Sequence, residues 1–209
     1  MAEQERNQEE THEVVSFSSE ELILVNENDE ELGFRDKAGC HTGSGTLHRA
    51  FSLFIFNQRG ELLLQQRSDE KPLWPLFWSN SCCSHPRRGE SMALATGRRL
   101  RQELGLEAEL QYIYKFQYQA QFNDDGAEHE LCWVYLGRCD DSPQANAHEI
   151  ANWRFVSVAD LEAEMSEYPE RFTPWFKMEW ERLNTEYMDL LAPYITPKHS
   201  TMDQNISAG

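Results

Sequence analysis

The sequence predicts a mixed α/β domain built in layers, and two observations carry that prediction. Strand-like stretches (46–56, 111–120 and 128–138), the second with a two-residue apolar period, are interleaved with stretches bearing helix start and stop signals. Between the chain ends there is no long linker, no low-complexity tract and no internal repeat, so one domain is the simplest count. The 209 residues are 40% hydrophobic and 26% charged, which is enough to build one sizeable core.

Taken in order, residues 21–25 are a short strand candidate ending in the turn-like cluster Asn26–Asp29. Strong strands follow at 46–56 and 60–67, joined through Asn57-Gln-Arg-Gly60. A helix is expected over 89–104, with Gly105 where a left-handed residue ends it. In 111–120 the set Tyr112, Tyr114, Phe116, Tyr118 and Ala120 should share one face, and Asn123-Asp-Asp-Gly126 should turn the chain into 128–138. A strand at 153–156 leads to Ser157-Val-Ala-Asp160, a capping box. Thr173-Pro174 pairs an N-cap with a first-turn proline and should launch one helix to about Leu191.

The formal charge is −17, and residues 1–31 hold 11 of the 36 Asp and Glu with one basic residue, Arg6. The acidic excess therefore belongs mainly to the leading segment. Even so, the body lacks the basic footprint of a nucleic-acid binder. Residues 1–19 read as an acidic disordered tail whose removal should leave activity intact, and 197–209 as a second loose end, leaving 20–196 as the folded domain. The longest apolar run, Leu131-Cys-Trp-Val-Tyr-Leu136, falls far short of the roughly 20 residues that span a bilayer. No signal-like segment opens the chain, so no membrane insertion and a cytoplasmic location are expected. Five cysteines, an odd number with no CxxC pair, fit free thiols in a reducing compartment.

Chemistry concentrates in a few places. In Glu128-His-Glu-Leu-Cys132 the strand period puts Glu128 and Glu130 on one face and His129 on the other. Two neighbouring carboxylates repel unless a cation or a shared proton lies between them. His41, His48 and His85 are candidate partners, and three His with two Glu would suit a divalent transition metal. Spacing leaves the alternative open: a solvated strand face and three ordinary histidines. In Asn80-Ser-Cys-Cys-Ser-His-Pro86, Cys83 stands two residues from His85 and just before the expected helix, where a thiol can be activated. Lys37, Arg67, Lys71, Arg98 and Arg99 could grip a diphosphate, whereas Arg87, Arg88 and Arg101 read as a solvated face.

Residues 84–106 resemble the Nudix box in spacing, with Glu90, Arg98, Glu103 and Gly105-Leu106 in step, but with Ser84, Arg99 and Gln102 where the box has Gly, Glu and Glu. A box that has lost two metal carboxylates looks kept for binding and altered for chemistry. That departure resembles the type I isopentenyl-diphosphate isomerase family. So do Lys37-x3-His41, Leu47-His-Arg-Ala-Phe-Ser52, Leu63-Leu-Gln-Gln-Arg-Ser68, Lys71, Asn80-x-Cys-Cys-Ser-His-Pro86, Glu128-His-Glu130 and Thr173-Pro-Trp-Phe176. The resemblance spans about residues 21–182. It implies a Nudix-like layered fold, a mixed central β-sheet flanked by helices, and interconversion of isopentenyl and dimethylallyl diphosphate through a carbocation-like intermediate.

Carried onto this sequence, it implies that His41, His48, His85, Glu128 and Glu130 hold one divalent metal (Mn²⁺, Zn²⁺ or Mg²⁺), and that Glu103 meets a substrate-linked Mg²⁺. It further implies Cys83 and Glu130 as the acid–base pair with Tyr118 bonded to Glu130, and Lys37, Arg67, Lys71 and Ser84 around the diphosphate. Trp175 would lie over the hydrocarbon. The expected partner is a small prenyl diphosphate, acted on by a monomer. The competing readings are a Nudix pyrophosphohydrolase, which Arg99 and Gln102 oppose, and a non-catalytic binder, which has no need of Cys83 with Glu130 and Tyr118.

Overall fold

A computed structural model describes residues 13–197. Its centre is β3 (His48–Phe56), buried along almost its whole length, as a strand covered on both faces must be. Along one edge β3 pairs in parallel with β8 (Gly126–Arg138), in a register that sets His48 beside Glu130. Its other edge meets β1 (Glu21–Val25), β6 (Cys82–Ser84) and β4 (Leu62–Arg67) in turn, all antiparallel. The sheet continues outward through β2 (Glu31–Asp36) beyond β1, β5 (Trp78–Ser79) and β9 (Ile150–Val156) beside β4, and β7 (Leu110–Phe122) beyond β8. With one parallel pairing among antiparallel ones, this is the mixed sheet expected.

Alternation along β3 divides the core in two. Ala50, Phe54 and Phe56 face a cluster with Phe176, Trp180 and Leu191 from α4 (Pro174–Thr185) and α5 (Met188–Ile195). Phe51, Leu53 and Ile55 face Ala95, Leu100 and Leu104 of α2 (Met92–Leu104). A short α1 (Lys37–His41) sits against β8, and α3 (Val158–Glu167) adds Leu161 to the first cluster. Helices thus cover both faces of the sheet. No described helix is long and apolar enough to cross a membrane.

Local signals act as predicted at several ends. Ser157 Oγ accepts from the Asp160 amide, and Gly105 closes α2 at φ 65° while its N–H reaches the Arg101 carbonyl at 2.9 Å. Elsewhere the structure differs from expectation. Helix α2 starts at Met92 behind an N-cap at Ser91, because that hydroxyl accepts from Leu94 N. The single helix expected from Thr173 to about Leu191 is two, broken at Glu186–Tyr187. Tyr112 leaves the face of Tyr114, Phe116 and Tyr118, since a register shift between Tyr112 and Tyr114 turns it out against Trp133 and Tyr135. The segment 37–41, for which no element is predicted, is α1, and β2, β5 and β6 also went unpredicted. Of the expected tails, 1–12 and 198–209 lie outside the described residues, whereas 13–19, read as disordered, are bonded to the body, the Val15 carbonyl accepting from Arg87 and Arg99.

Candidate metal centre and active-site cavity

Three separate elements bring the histidines together. Asp36 caps α1 by accepting from Gly39 N at 2.8 Å, and the single turn that results sets Lys37 and His41 on one face. Gly126, at the head of β8, permits α1 to lie close: a Cβ there would stand 2.4 Å from the His41 carbonyl oxygen. His48 opens β3, and His85 follows β6. Their ring centroids are 4.8–5.4 Å apart. With Glu128 and Glu130 they offer five ligand atoms, all within 4.8 Å of one another.

The hydrogen bonds orient these groups inward. His41 Nδ1 donates to the Lys37 carbonyl at 2.6 Å and His48 Nδ1 to the Thr46 carbonyl at 2.7 Å, which turns both Nε2 atoms toward the carboxylates. His48 Nε2 and Glu128 Oε2 are buried without a hydrogen bond of acceptable geometry, although Glu128 Oε2 lies 2.8 Å from His41 Nε2, and His85 turns its Nε2 onto Glu130 Oε1 at 2.9 Å. Buried polar atoms are rarely left unbonded, and such atoms beside two carboxyls fit a cation. Burial, then the charge of His41, pushes His48 down to about 4, keeping it the neutral imidazole that ligation needs. Burial raises Glu128, but His41 outweighs it and brings the carboxyl down to about 2. Burial and the Glu128 charge together raise Glu130 well above the usual carboxylate range. With Glu128 paired to His41, ionising Glu130 would leave one negative charge over, which a divalent ion would balance.

Beside it opens a cavity of about 440 Å³, lined by all the other proposed site residues except Glu103. Tyr118 Oη donates to Glu130 Oε2 at 2.7 Å. Cys83 lies on β6, well ahead of α2, so no helix terminus acts on it; burial pushes its thiol up to about 12. Its Sγ donates to Asn80 Oδ1 at 2.7 Å and accepts from Trp175 Nε1 at 3.3 Å and Ser52 Oγ at 3.7 Å. Ser79, bonded to Trp175 and Thr173, completes this cradle. Asn80 and Thr173 stand inside quoted motifs, and Thr173 is also an expected N-cap, whereas Ser79 lies outside them and gave no signal.

The other end of the cavity is cationic. Lys71 pairs with Glu149, and Arg99 with Glu103 at 2.6 Å and Glu149 at 3.1 Å. Burial, then the charges of Lys71 and Arg99, pushes Lys37 down to about 8, a strain an anion would relieve. Ser84 lines the same wall. Arg67 sends Nε and Nη2 to the carbonyls of Trp74 and Leu73, and its guanidinium stands 5.3 Å from the Trp175 ring centroid. It thereby holds a loop whose Trp74 and Leu76 both have positive φ. Glu103 lies apart from the five metal-site residues, locked to Arg99 in the second cluster. Residues 13–18 run along the cavity mouth, where Ser16 Oγ accepts from Lys37 at 2.5 Å and the Val15 carbonyl accepts from Arg99 at 3.0 Å.

Comparison with known proteins agrees with this geometry. A NUDIX domain model matches residues 46–176. Among solved structures, DR0079 from Deinococcus radiodurans superposes with a TM-score of 0.59 at 25% identity, covering 71% of this chain and 90% of that one. The chain is therefore a NUDIX-domain protein. It is also 41% identical over 174 residues to isopentenyl-diphosphate Delta-isomerase 1 of Photorhabdus laumondii subsp. laumondii, covering 82% of this chain and 99% of that protein. Against the isopentenyl-diphosphate Delta-isomerase of Serratia proteamaculans it is 45% identical over 157 residues, 75% of this chain and 87% of the relative. Within the NUDIX class, the chain belongs to the isopentenyl-diphosphate Delta-isomerase family.

Proposed function

We propose that this protein interconverts isopentenyl diphosphate and dimethylallyl diphosphate by a 1,3-proton transfer. The observation that carries the reading is one cavity lined by a protonated thiol, Cys83, by the Tyr118–Glu130 pair, and by Lys37, Lys71 and Arg99. Moving the double bond adds a proton to the terminal methylene and removes one from the methylene next to the oxygen-bearing carbon. One of Cys83 and Glu130 gives and the other takes. Burial keeps the Cys83 proton in place at neutral pH, so it has one to give. Tyr118 fixes the direction of Glu130 through its 2.7 Å hydrogen bond.

The tertiary cation between the two transfers needs shelter from water and a soft electrostatic partner. Trp175, 3% exposed, supplies a ring face. Lys37, Arg67, Lys71 and Ser84 bind the diphosphate and fix its tail against that ring. A Zn²⁺, Mn²⁺ or Mg²⁺ held by His41, His48, His85, Glu128 and Glu130 would supply the positive charge that keeps Glu130 ionised. Glu103 is the box residue suited to a Mg²⁺ brought by the diphosphate. The enzyme works as a monomer in the cytosol, where its five free thiols stay reduced.

The test is incubation of the purified protein with isopentenyl diphosphate and Mg²⁺ in D₂O, followed by proton and phosphorus NMR. Dimethylallyl signals carrying deuterium, with the diphosphate intact, are expected. Release of phosphate or pyrophosphate would turn the reading to a hydrolase. No change, after Mn²⁺ or Zn²⁺ is also added, would leave a binding role.

A further inference from the structure

Residues 13–18, expected to be loose, lie as a strap along the mouth of the cavity. Val14 and Phe17 are each 50% exposed, so burial does little to hold the strap there. Hydrogen bonds hold it instead. The Glu13 carbonyl accepts from Asn146 Nδ2 at 2.8 Å, and the Val15 carbonyl from Arg99 Nη1 at 3.0 Å and Arg87 Nη2 at 3.2 Å. The Ser18 carbonyl accepts from the Ala38 amide at 3.0 Å. Ser16 is thereby fixed between two tethered neighbours, and it lines the cavity with Lys37 and Lys71.

The cations at this end are met in different ways. Lys71 pairs with Glu149, and Arg99 with Glu103 and Glu149. Lys37 pairs with no carboxylate among the described residues, and its ammonium donates to Ser16 Oγ at 2.5 Å. A hydroxyl offers two lone pairs and one proton. With Lys37 on its oxygen, Ser16 keeps that proton, and no acceptor among the described residues takes it. The remaining protons of the ammonium and the one of the hydroxyl stand side by side at the cavity wall, a match for an anion with several oxygens. A neutral partner also leaves the Lys37 charge for such an anion to balance.

We propose that Ser16 is a substrate-binding residue: its hydroxyl, held by Lys37, donates to an oxygen of the diphosphate. The inference rests on the reading of this end of the cavity as the diphosphate site. A hydrogen bond to a charged group contributes more than one between neutral groups. The diphosphate is unchanged as the double bond moves, so a bond to it lowers KM and leaves kcat alone. The expectation that residues 1–19 can be removed without loss of activity therefore does not extend to Ser16.

Titration calorimetry of the full-length protein with inorganic pyrophosphate and Mg²⁺ reads this bond without turnover. Ser16→Ala should weaken pyrophosphate binding about tenfold, and Ser16→Thr, which keeps a hydroxyl, should stay within about threefold of the wild type. In steady-state kinetics with isopentenyl diphosphate, Ser16→Ala should raise KM about tenfold and leave kcat unchanged. A cycle with Lys37→Ala separates donation from tethering. In that background Ser16→Ala should weaken pyrophosphate severalfold again; no further loss would mean that Ser16 only steadies Lys37, which overturns the proposal. Wild-type pyrophosphate affinity in Ser16→Ala overturns it as well, and with normal turnover in the wild type it removes this inference alone. A wild type that binds pyrophosphate, more tightly than Ser16→Ala does, but leaves isopentenyl diphosphate unchanged would remove the isomerase reading and keep Ser16 as a diphosphate ligand. No pyrophosphate binding by the wild type would remove both.

Discussion

Two clusters of ionisable groups flank the same cavity, and they are built on opposite principles. Around the Nudix-box helix α2, Arg99 and Lys71 face Glu103 and Glu149, two positive charges against two negative. That cluster brings its own cations. In the histidine cluster only His41 stands as a cation, against Glu128, while burial keeps His48 and His85 neutral and leaves buried polar atoms without hydrogen bonds of acceptable geometry. That one could be completed by a cation from outside. Arg99, standing where the Nudix box has a glutamate, thus meets the acidic groups around it with a protein cation, whereas His41, His48, His85, Glu128 and Glu130 form a group that could hold a divalent ion.

The sharpest way to break this contrast is to remove one carboxylate from each cluster. Glu130→Gln, like Cys83→Ala, should cost about 10³-fold or more in kcat while leaving a folded protein, since proton transfer by a positioned group contributes 10²–10⁴-fold. Glu103→Gln should instead leave Arg99 short of a partner, which lowers stability and raises KM more than it alters kcat. Comparable kcat losses in both variants would mean that the two clusters share the chemistry. Near-normal turnover in Cys83→Ala would remove that residue from the mechanism.

Metal removal gives the next largest effect. After treatment with a chelator, returning Zn²⁺ or Mn²⁺ should raise the thermal midpoint, because a ligand present at 100 times its Kd stabilises the native state by about 2.7 kcal/mol. His48→Ala should abolish that rise, and Glu103→Gln should preserve it. A rise that survives in His48→Ala would place the ion elsewhere.

How much of this could be read from the sequence depended on range. Strands β3, β7 and β8 are visible because each is nine or more residues long and either alternates, as β7 does, or runs apolar, as β3 and β8 do. The exposed β2 and the two- and three-residue β5 and β6 are invisible, since their pairing depends on partners distant in the chain. Helix α1 hides behind Gly39, whose Cβ would meet Arg35 Nε at 2.6 Å; it holds through the Asp36 cap and its seat on β8. Glu128 and Glu130 follow from strand alternation, and residue type made histidines on three other segments their candidate partners, but only the family resemblance singled out the five as one set. Ser16 gave no signal, because it lies in the acidic leading segment, which has no apolar period to mark structure.

A pH series sharpens the comparison from the box side. Burial raises Glu149, but Lys71 and Arg99 outweigh it and hold the carboxyl at about 2. A carboxyl lowered on folding contributes stability that is complete above its unfolded value near 4.5 and is lost as pH falls through its folded value. The stability gap between wild type and Glu149→Gln, from denaturant unfolding, should therefore be constant above about pH 5 and shrink toward pH 3. A gap that widens on acidification would show that this glutamate is not ionised among its cations.

The smallest effect separates the spacing of the box from its chemistry. Gly105 keeps its place in the motif because the chain there has φ 65°, which a glycine adopts without penalty, and because a Cβ would stand 3.0 Å from the Gln144 Cβ. Neither reason involves a metal or a substrate. Gly105→Ala should thus cost about 1 kcal/mol, a fall of about 2–4 °C in thermal midpoint, with kcat and metal affinity unchanged. The same small substitution at Gly126 would drive a Cβ toward the His41 carbonyl and should weaken metal binding. If Gly105→Ala lowered turnover beyond its effect on stability, the box would hold a catalytic part that the internal pairing of Arg99 with Glu103 does not account for.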